Sequence, residues 1–83
     1  FQAIEIGGAA PAILNAANEV AVATFLEQKI PFLAIPELIE DALTEMPSSA
    51  SIASIPDLLI IDRQTRDHVK RQISNFESAK TLI

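Results

Sequence analysis

The sequence predicts an all-α fold, a small antiparallel bundle of three main helices. Three observations carry that prediction. Proline and glycine punctuate the 83 residues into three stretches of helical length. Within them apolar residues recur at three- and four-residue spacing, and period-2 alternation appears only weakly over residues 1–6. The chain is also 49% hydrophobic, mostly Ala, Ile and Leu, and a domain of this size needs that richness. It buries only about 60–65% of the surface that its unfolded chain exposes.

The first helix is expected over residues 11–28. Gly7-Gly8 gives a flexible entry, and Pro11 suits a first helical turn, where its missing N–H costs nothing. Ala12, Ala16, Ala17, Ala21 and Ala23 raise helical propensity, and no Gly or Pro interrupts them. Lys29 is placed to favour the negative end of the helix dipole, and Pro31 to stop the helix. A short apolar connection, residues 32–34, follows.

The second helix, over residues 35–46, has the cleanest pattern. At 100° per residue Ile35, Leu38, Ile39, Ala42, Leu43 and Met46 share one face, and Glu37, Glu40, Asp41 and Glu45 the other. Pro36 and Glu37 suit its first turn, and Pro47 ends it. Residues 47–54 are Ser-rich and read as a loop with Ile52 tucked inward. Ser54-Ile55-Pro56-Asp57 resembles a capping box with Asp in place of Glu, so Ser54 is the expected N-cap of a third helix over residues 55–77. Asp62–Arg66, Arg63–Asp67 and Asp67–Arg71 are i,i+4 pairs along it, and Leu58, Leu59, Ile61, Val69, Ile73 and Phe76 supply its inward contacts.

Composition excludes several function classes. Six basic against eleven acidic residues give a net charge of −5, the wrong sign for binding a phosphate backbone, so no nucleic-acid partner is expected. No apolar run approaches the ~20 residues that cross a bilayer, so no membrane partner is expected either. The N-terminal residues, interrupted by Glu5 and two glycines, lack the pattern of a secretory signal. With no Cys there is neither a disulfide framework nor a thiolate zinc site. The expectation is a single helical domain over 1–83, soluble and located in the cytosol or an organelle stroma.

Catalytic chemistry is sparsely represented. Nucleophilic catalysis needs an activated Ser or Cys with a base in reach, and the single histidine, His68, sits among salt-paired positions of the third helix, where a surface role is expected. Glu37, Asp41 and Glu45 align at i, i+4 and i+8, opposite the apolar stripe, where a solvated face belongs. Gly7-Gly8 precedes a helix N-terminus without the G-x-G-x-x-G spacing of a phosphate loop. No catalytic, cofactor-binding or metal-binding residue is assigned. The oddity is Asn15, Asn18 and Glu19, which share one flank of an otherwise apolar first helix with Val22 and Leu26. A helix apolar almost all round is expected to be buried, and buried amides and carboxylates need partners. The three are read as a structural or interdomain polar cluster, bonded to a neighbouring loop, a helix or another domain.

The same segment carries a family resemblance. Gly7-Gly8-Ala9-Ala10-Pro11 leading into Leu14-Asn15-Ala16-Ala17-Asn18-Glu19 closely resembles the 1-deoxy-D-xylulose 5-phosphate reductoisomerase family. The likeness continues through Phe25-Leu26, Ile30, Phe32, Ile35 and Leu38-Ile39, and more weakly at Ile55, Asp62 and Arg66. It implies the C-terminal helical domain of an enzyme that forms 2-C-methyl-D-erythritol 4-phosphate, on the non-mevalonate route to isoprenoids. It further implies NADPH and a divalent metal, Mg²⁺ or Mn²⁺, in the parent enzyme, with none bound by this chain. The implied partner is the catalytic domain of a homodimeric enzyme. The family's metal ligands, phosphate-binding serines and tryptophan-bearing flap belong to that central domain, and none maps here.

Two departures stand out. Residues 1–6 run almost directly into Gly7, so the arrangement reads as a four-helix bundle whose first helix is shortened or lost, and Ala9 stands where the family commonly has Thr. The alternative is a free-standing helical interaction module with no enzymatic role. Either way, apolar surface meant for a partner predicts self-association of the isolated chain.

Overall fold

The computed structural model describes residues 8–47, 52 and 54–82, with side chains as far as 75. Three helices form, α1 (Ala10–Leu26), α2 (Ala34–Glu45) and α3 (Ile55–Leu82), and no strand occurs among the described residues. They run up, down and up. Glu19 of α1 meets Arg66 of α3, and one groove joins Ala23 and Glu27 to Lys70 and Ile73, so α1 and α3 are parallel. Asp41 of α2 meets His68, while Ala34 lies beside Ile73, so α2 is antiparallel to α3. α1 packs against both other helices more extensively than they pack against each other.

Small residues at the centre set this arrangement. Ala16, Ala17 and Ala21 of α1 and Ala42 of α2 are fully buried, which lets the backbones approach closely. Ile13, Thr65 and Val69 are the largest fully buried side chains, and Val20, Ile30, Ile35, Ile52 and Ile73 close around them. Ile52 is buried, in keeping with the inward turn expected of its loop. Leu38, Ile39, Leu43 and Met46 pack on the same core, so α2 buries the face that its periodicity marks.

The helix ends differ from expectation for identifiable reasons. α1 stops at Leu26, two residues short of the expected end and well before Pro31. Gln28 adopts φ 63°, its N–H bonds to the Phe25 carbonyl at 2.8 Å, and the Lys29 N–H bonds to the Thr24 carbonyl at 3.2 Å. This pair of bonds is a Schellman motif built on a glutamine, and it satisfies carbonyls that the helix end would leave unpaired. Lys29 therefore falls beyond the helix and pairs with Glu27 at 3.6 Å, where both are exposed. The reversal delivers Ile30 to the core and sets Phe32 edge-on to Phe25, with centroids 5.6 Å apart.

Both ends of α2 fall one residue earlier than expected. Met46 is extended at ψ 158° because the residue before Pro47 is driven from the α region. At α3 the Ser54 hydroxyl accepts the Asp57 N–H at 3.3 Å, as the capping pattern predicts. The helix continues to Leu82, five residues past 77, through a stretch without Gly or Pro. Residues 1–6, the weak alternation and the shortened first helix of the four-helix reading, lie outside the described residues, as does the side chain of Phe76. Leu59 is a correction. Expected to face inward, it is 62% exposed, because Leu58 and Ile61 already occupy the core side of that turn.

Candidate functional site

The polar chemistry of the chain collects in two places. The first begins at the Asn15, Asn18 and Glu19 flank of α1. All three are exposed, which corrects the expectation of burial. α1 contacts its neighbours along one side only, so an apolar helix here still has an outer face. Asn15 Nδ2 donates to Glu19 Oε2 at 3.1 Å, Arg66 Nη2 donates to Glu19 Oε1 at 2.9 Å, and Arg66 Nε donates to Asp62 Oδ2 at 2.8 Å. A ladder of four side chains thus ties α1 to α3. The hydrogen bond that Arg66 donates to Asp62, and then the one it donates to Glu19, holds its guanidinium even more firmly protonated than usual. Asn18 takes no part in the ladder, and its amide has no hydrogen-bond partner among the described residues.

Of the three i,i+4 pairs read from the sequence, Asp62–Arg66 closes. Arg63–Asp67 and Asp67–Arg71 form no ion pair among the described residues. Below the ladder a shallow groove of about 520 Å³ carries both signs of charge, from Glu19, Glu27, Arg66 and Lys70.

The second place is internal. His68, expected at the surface, is only 9% exposed, and its Nε2 lies 2.7 Å from Asp41 Oδ2. An ionised carboxylate only accepts, so Nε2 carries the hydrogen. Asp41 is thereby drawn out of the row that it was expected to form with Glu37 and Glu45 on the solvated face of α2. Thr65, one turn before His68, is also buried and donates its hydroxyl to the Ile61 carbonyl at 2.7 Å. Sequence reading missed both, although the spacing Ile61, Thr65, His68, Val69 and Ile73 follows one helical stripe. Among the described residues no three His, Asp or Glu side chains converge as a metal site would require. The donor set of the described residues does not fit a divalent metal. Neither polar assembly pairs a nucleophile with a base in an accessible cleft.

A family model described as the DXP reductoisomerase C-terminal domain matches residues 1–68, through α1, α2 and α3 as far as His68. The chain belongs to the DXP reductoisomerase C-terminal domain family. Curated relatives agree. A 1-deoxy-D-xylulose 5-phosphate reductoisomerase of Solibacter usitatus is 44% identical over 82 residues, covering 99% of this chain and 20% of the relative. One of Chloroherpeton thalassium is 54% identical over 69 residues, covering 83% and 18%. One of Xanthomonas oryzae pv. oryzae is 47% identical over 75 residues, covering 90% and 19%. The chain spans about a fifth of the length of the curated relatives it matches. No solved structure matches it. Within this reductoisomerase domain, the resemblance first seen at Asn15-Ala16-Ala17-Asn18-Glu19 falls at the centre of α1, and its two asparagines face outward. No helix of the described residues is long and apolar enough to cross a membrane.

Proposed function

We propose that this chain is a single helical domain that acts as the non-catalytic C-terminal support of a 1-deoxy-D-xylulose 5-phosphate reductoisomerase. The parent enzyme would form 2-C-methyl-D-erythritol 4-phosphate in the cytoplasm, as part of isoprenoid biosynthesis, and work as a homodimer. The observation that carries this reading is the family match over most of a chain that spans about a fifth of its relatives. The site geometry supports it. The chain's histidine is turned into the bundle, and its Asp41 partner is occupied in holding two helices together.

NADPH and Mg²⁺ or Mn²⁺ would supply the hydride and the electrophilic assistance in the parent enzyme, held by residues outside this chain. What these residues contribute is mechanical. The core fixes α1, α2 and α3 as one body, and the Asn15–Glu19–Arg66–Asp62 ladder and the outward Asn18 stand at the boundary with the catalytic domain. The test is direct. Purified chain supplied with 1-deoxy-D-xylulose 5-phosphate, NADPH and Mg²⁺ is expected to oxidise no NADPH above a blank without protein. Turnover that rises in proportion to the chain added would overturn the proposal.

A further inference from the structure

Charge is distributed unevenly over the three helices. α2 places four acids in its twelve residues, with Glu37, Glu40 and Glu45 exposed, and α3 exposes Arg63, Asp67, Lys70 and Arg71. α1 has a single charged residue in seventeen, Glu19, and that carboxylate is spent on Asn15 and Arg66 at the edge of the helix. Its outer face carries Leu14, Asn18 and Leu26, with Val22 half-buried between them against the core. Leu14 is 46% exposed and Leu26 71%. Beyond the exposed Glu27–Lys29 pair of the Schellman turn, Phe32 and Leu33 are exposed as well, the latter 74%. At the centre of the α1 face stands Asn18, with an amide that no described residue satisfies. A face bounded by solvent is ordinarily charged, as α2 shows. An uncharged, largely apolar strip about 18 Å long with a single amide at its centre has the composition of an interface core.

We infer that the outer face of α1 is the surface by which this domain docks onto the rest of the parent polypeptide, against an apolar surface presenting a hydrogen-bonding group, backbone or amide, opposite Asn18. The inference rests on the domain reading above and adds to it which face is covered. The occupant follows from length and charge. About four-fifths of the relatives' chain lies outside this segment, which supplies a large covalently linked partner. The strip offers no charge to steer a separate basic or acidic partner. The other exposed apolar residues, Ile55, Leu59 and Ile60, share their side of α3 with the exposed Arg63 and Gln64, so they make a shorter and more polar patch. The ladder fits the same picture, since it lies along one edge of the strip, where a polar rim belongs.

The chain has no cysteine, so single probes can be introduced cleanly. Asn18→Cys, Glu40→Cys and Ile60→Cys are made in the 83-residue chain and in a full-length chimera, in which the chain replaces the matched segment of the Solibacter usitatus relative. Maleimide labelling is read peptide by peptide. NADPH turnover by each chimera establishes first that it is folded, and if the chimera is inactive the same substitutions are made at the matched positions of the relative itself. Asn18→Cys is expected to label at least ten-fold more slowly in the full-length protein than in the isolated chain, with Glu40→Cys and Ile60→Cys within two-fold. Equal labelling of Asn18→Cys in both contexts overturns the inference. Protection of Ile60→Cys or Glu40→Cys in its place leaves the domain reading standing and moves the interface. Protection of none of the three overturns the inference, while an active chimera leaves the domain reading standing. Labelling of the isolated chain is read on dilution until its rate is constant, so that self-association through the same face does not enter the comparison.

Discussion

Gln28 holds the turn between α1 and α2 in a conformation that its side chain disfavours, and relieving it has a calculable effect. At φ 63° the Cβ crowds the following carbonyl, which costs a non-glycine residue about 1–2 kcal/mol. Glycine adopts this region freely, but its unfolded chain is more disordered, which returns about 0.4–1 kcal/mol. Gln28→Gly is therefore expected to stabilise the domain by about 0.5–1 kcal/mol. Gln28 is exposed, so the loss of its side chain subtracts little packing. In a domain of this size the gain raises Tm by about 2–8 °C. Helical circular dichroism on heating and in urea measures it, with the midpoint rising and the slope against urea unchanged. Gln28→Val is expected to move Tm the other way, because a β-branched residue tolerates positive φ least. A Gln28→Gly protein no more stable than the original, or a Gln28→Val protein that is not destabilised, would refute the Schellman reading of this turn.

Four further predictions follow from the packing and from the exposed side of α1. Asp41→Ala leaves the buried His68 ring without its partner and is expected to cost about 1–3 kcal/mol, whereas Glu37→Ala, a turn earlier on the same helix and exposed, stays within about 0.5 kcal/mol; chemical denaturation of both compares them. The Glu19–Arg66 pair is partly exposed, so a double-mutant cycle with Glu19→Ala and Arg66→Ala is expected to give a coupling of only about 0.2–1 kcal/mol, falling with added salt. Ile13→Ala, at a fully buried position between the helices, is expected to lose about 2–5 kcal/mol, enough to unfold much of so small a domain at room temperature in a circular dichroism melt. Light scattering of the isolated chain is expected to show mass rising with concentration, and Asn18→Lys, which puts a charge on the uncovered strip, to return it to monomer.

The segmentation was legible because prolines and a hydroxyl cap act locally: Pro47 drives Met46 extended, and Ser54 caps α3 whatever packs nearby. The face of α2 was legible because four acids oppose its apolar stripe. Three features were not. The end of α1 lies on a glutamine in a position that usually announces itself with glycine, while Lys29 and Pro31 are plausible stop signals lying slightly too far on. His68 reads as a surface residue because the charges around it, Asp67 and Lys70 among them, dominate the local composition; only the stripe from Ile61 to Ile73 marks it as internal. Asn15, Asn18 and Glu19 were expected to be buried on the premise that an apolar helix is central. In this bundle α1 has a free outer side, and its uncharged character is better explained by a partner than by the core.

Turnover in the chimera decides whether this chain is a domain required by a catalytic machinery that lies elsewhere in the parent polypeptide. The Solibacter usitatus relative with its matched segment replaced by this chain is expected to oxidise NADPH in the presence of 1-deoxy-D-xylulose 5-phosphate. The same relative without that segment, and this chain alone, are expected to be inactive. A truncated relative as active as the chimera would contradict the account, and so would turnover by the 83 residues on their own.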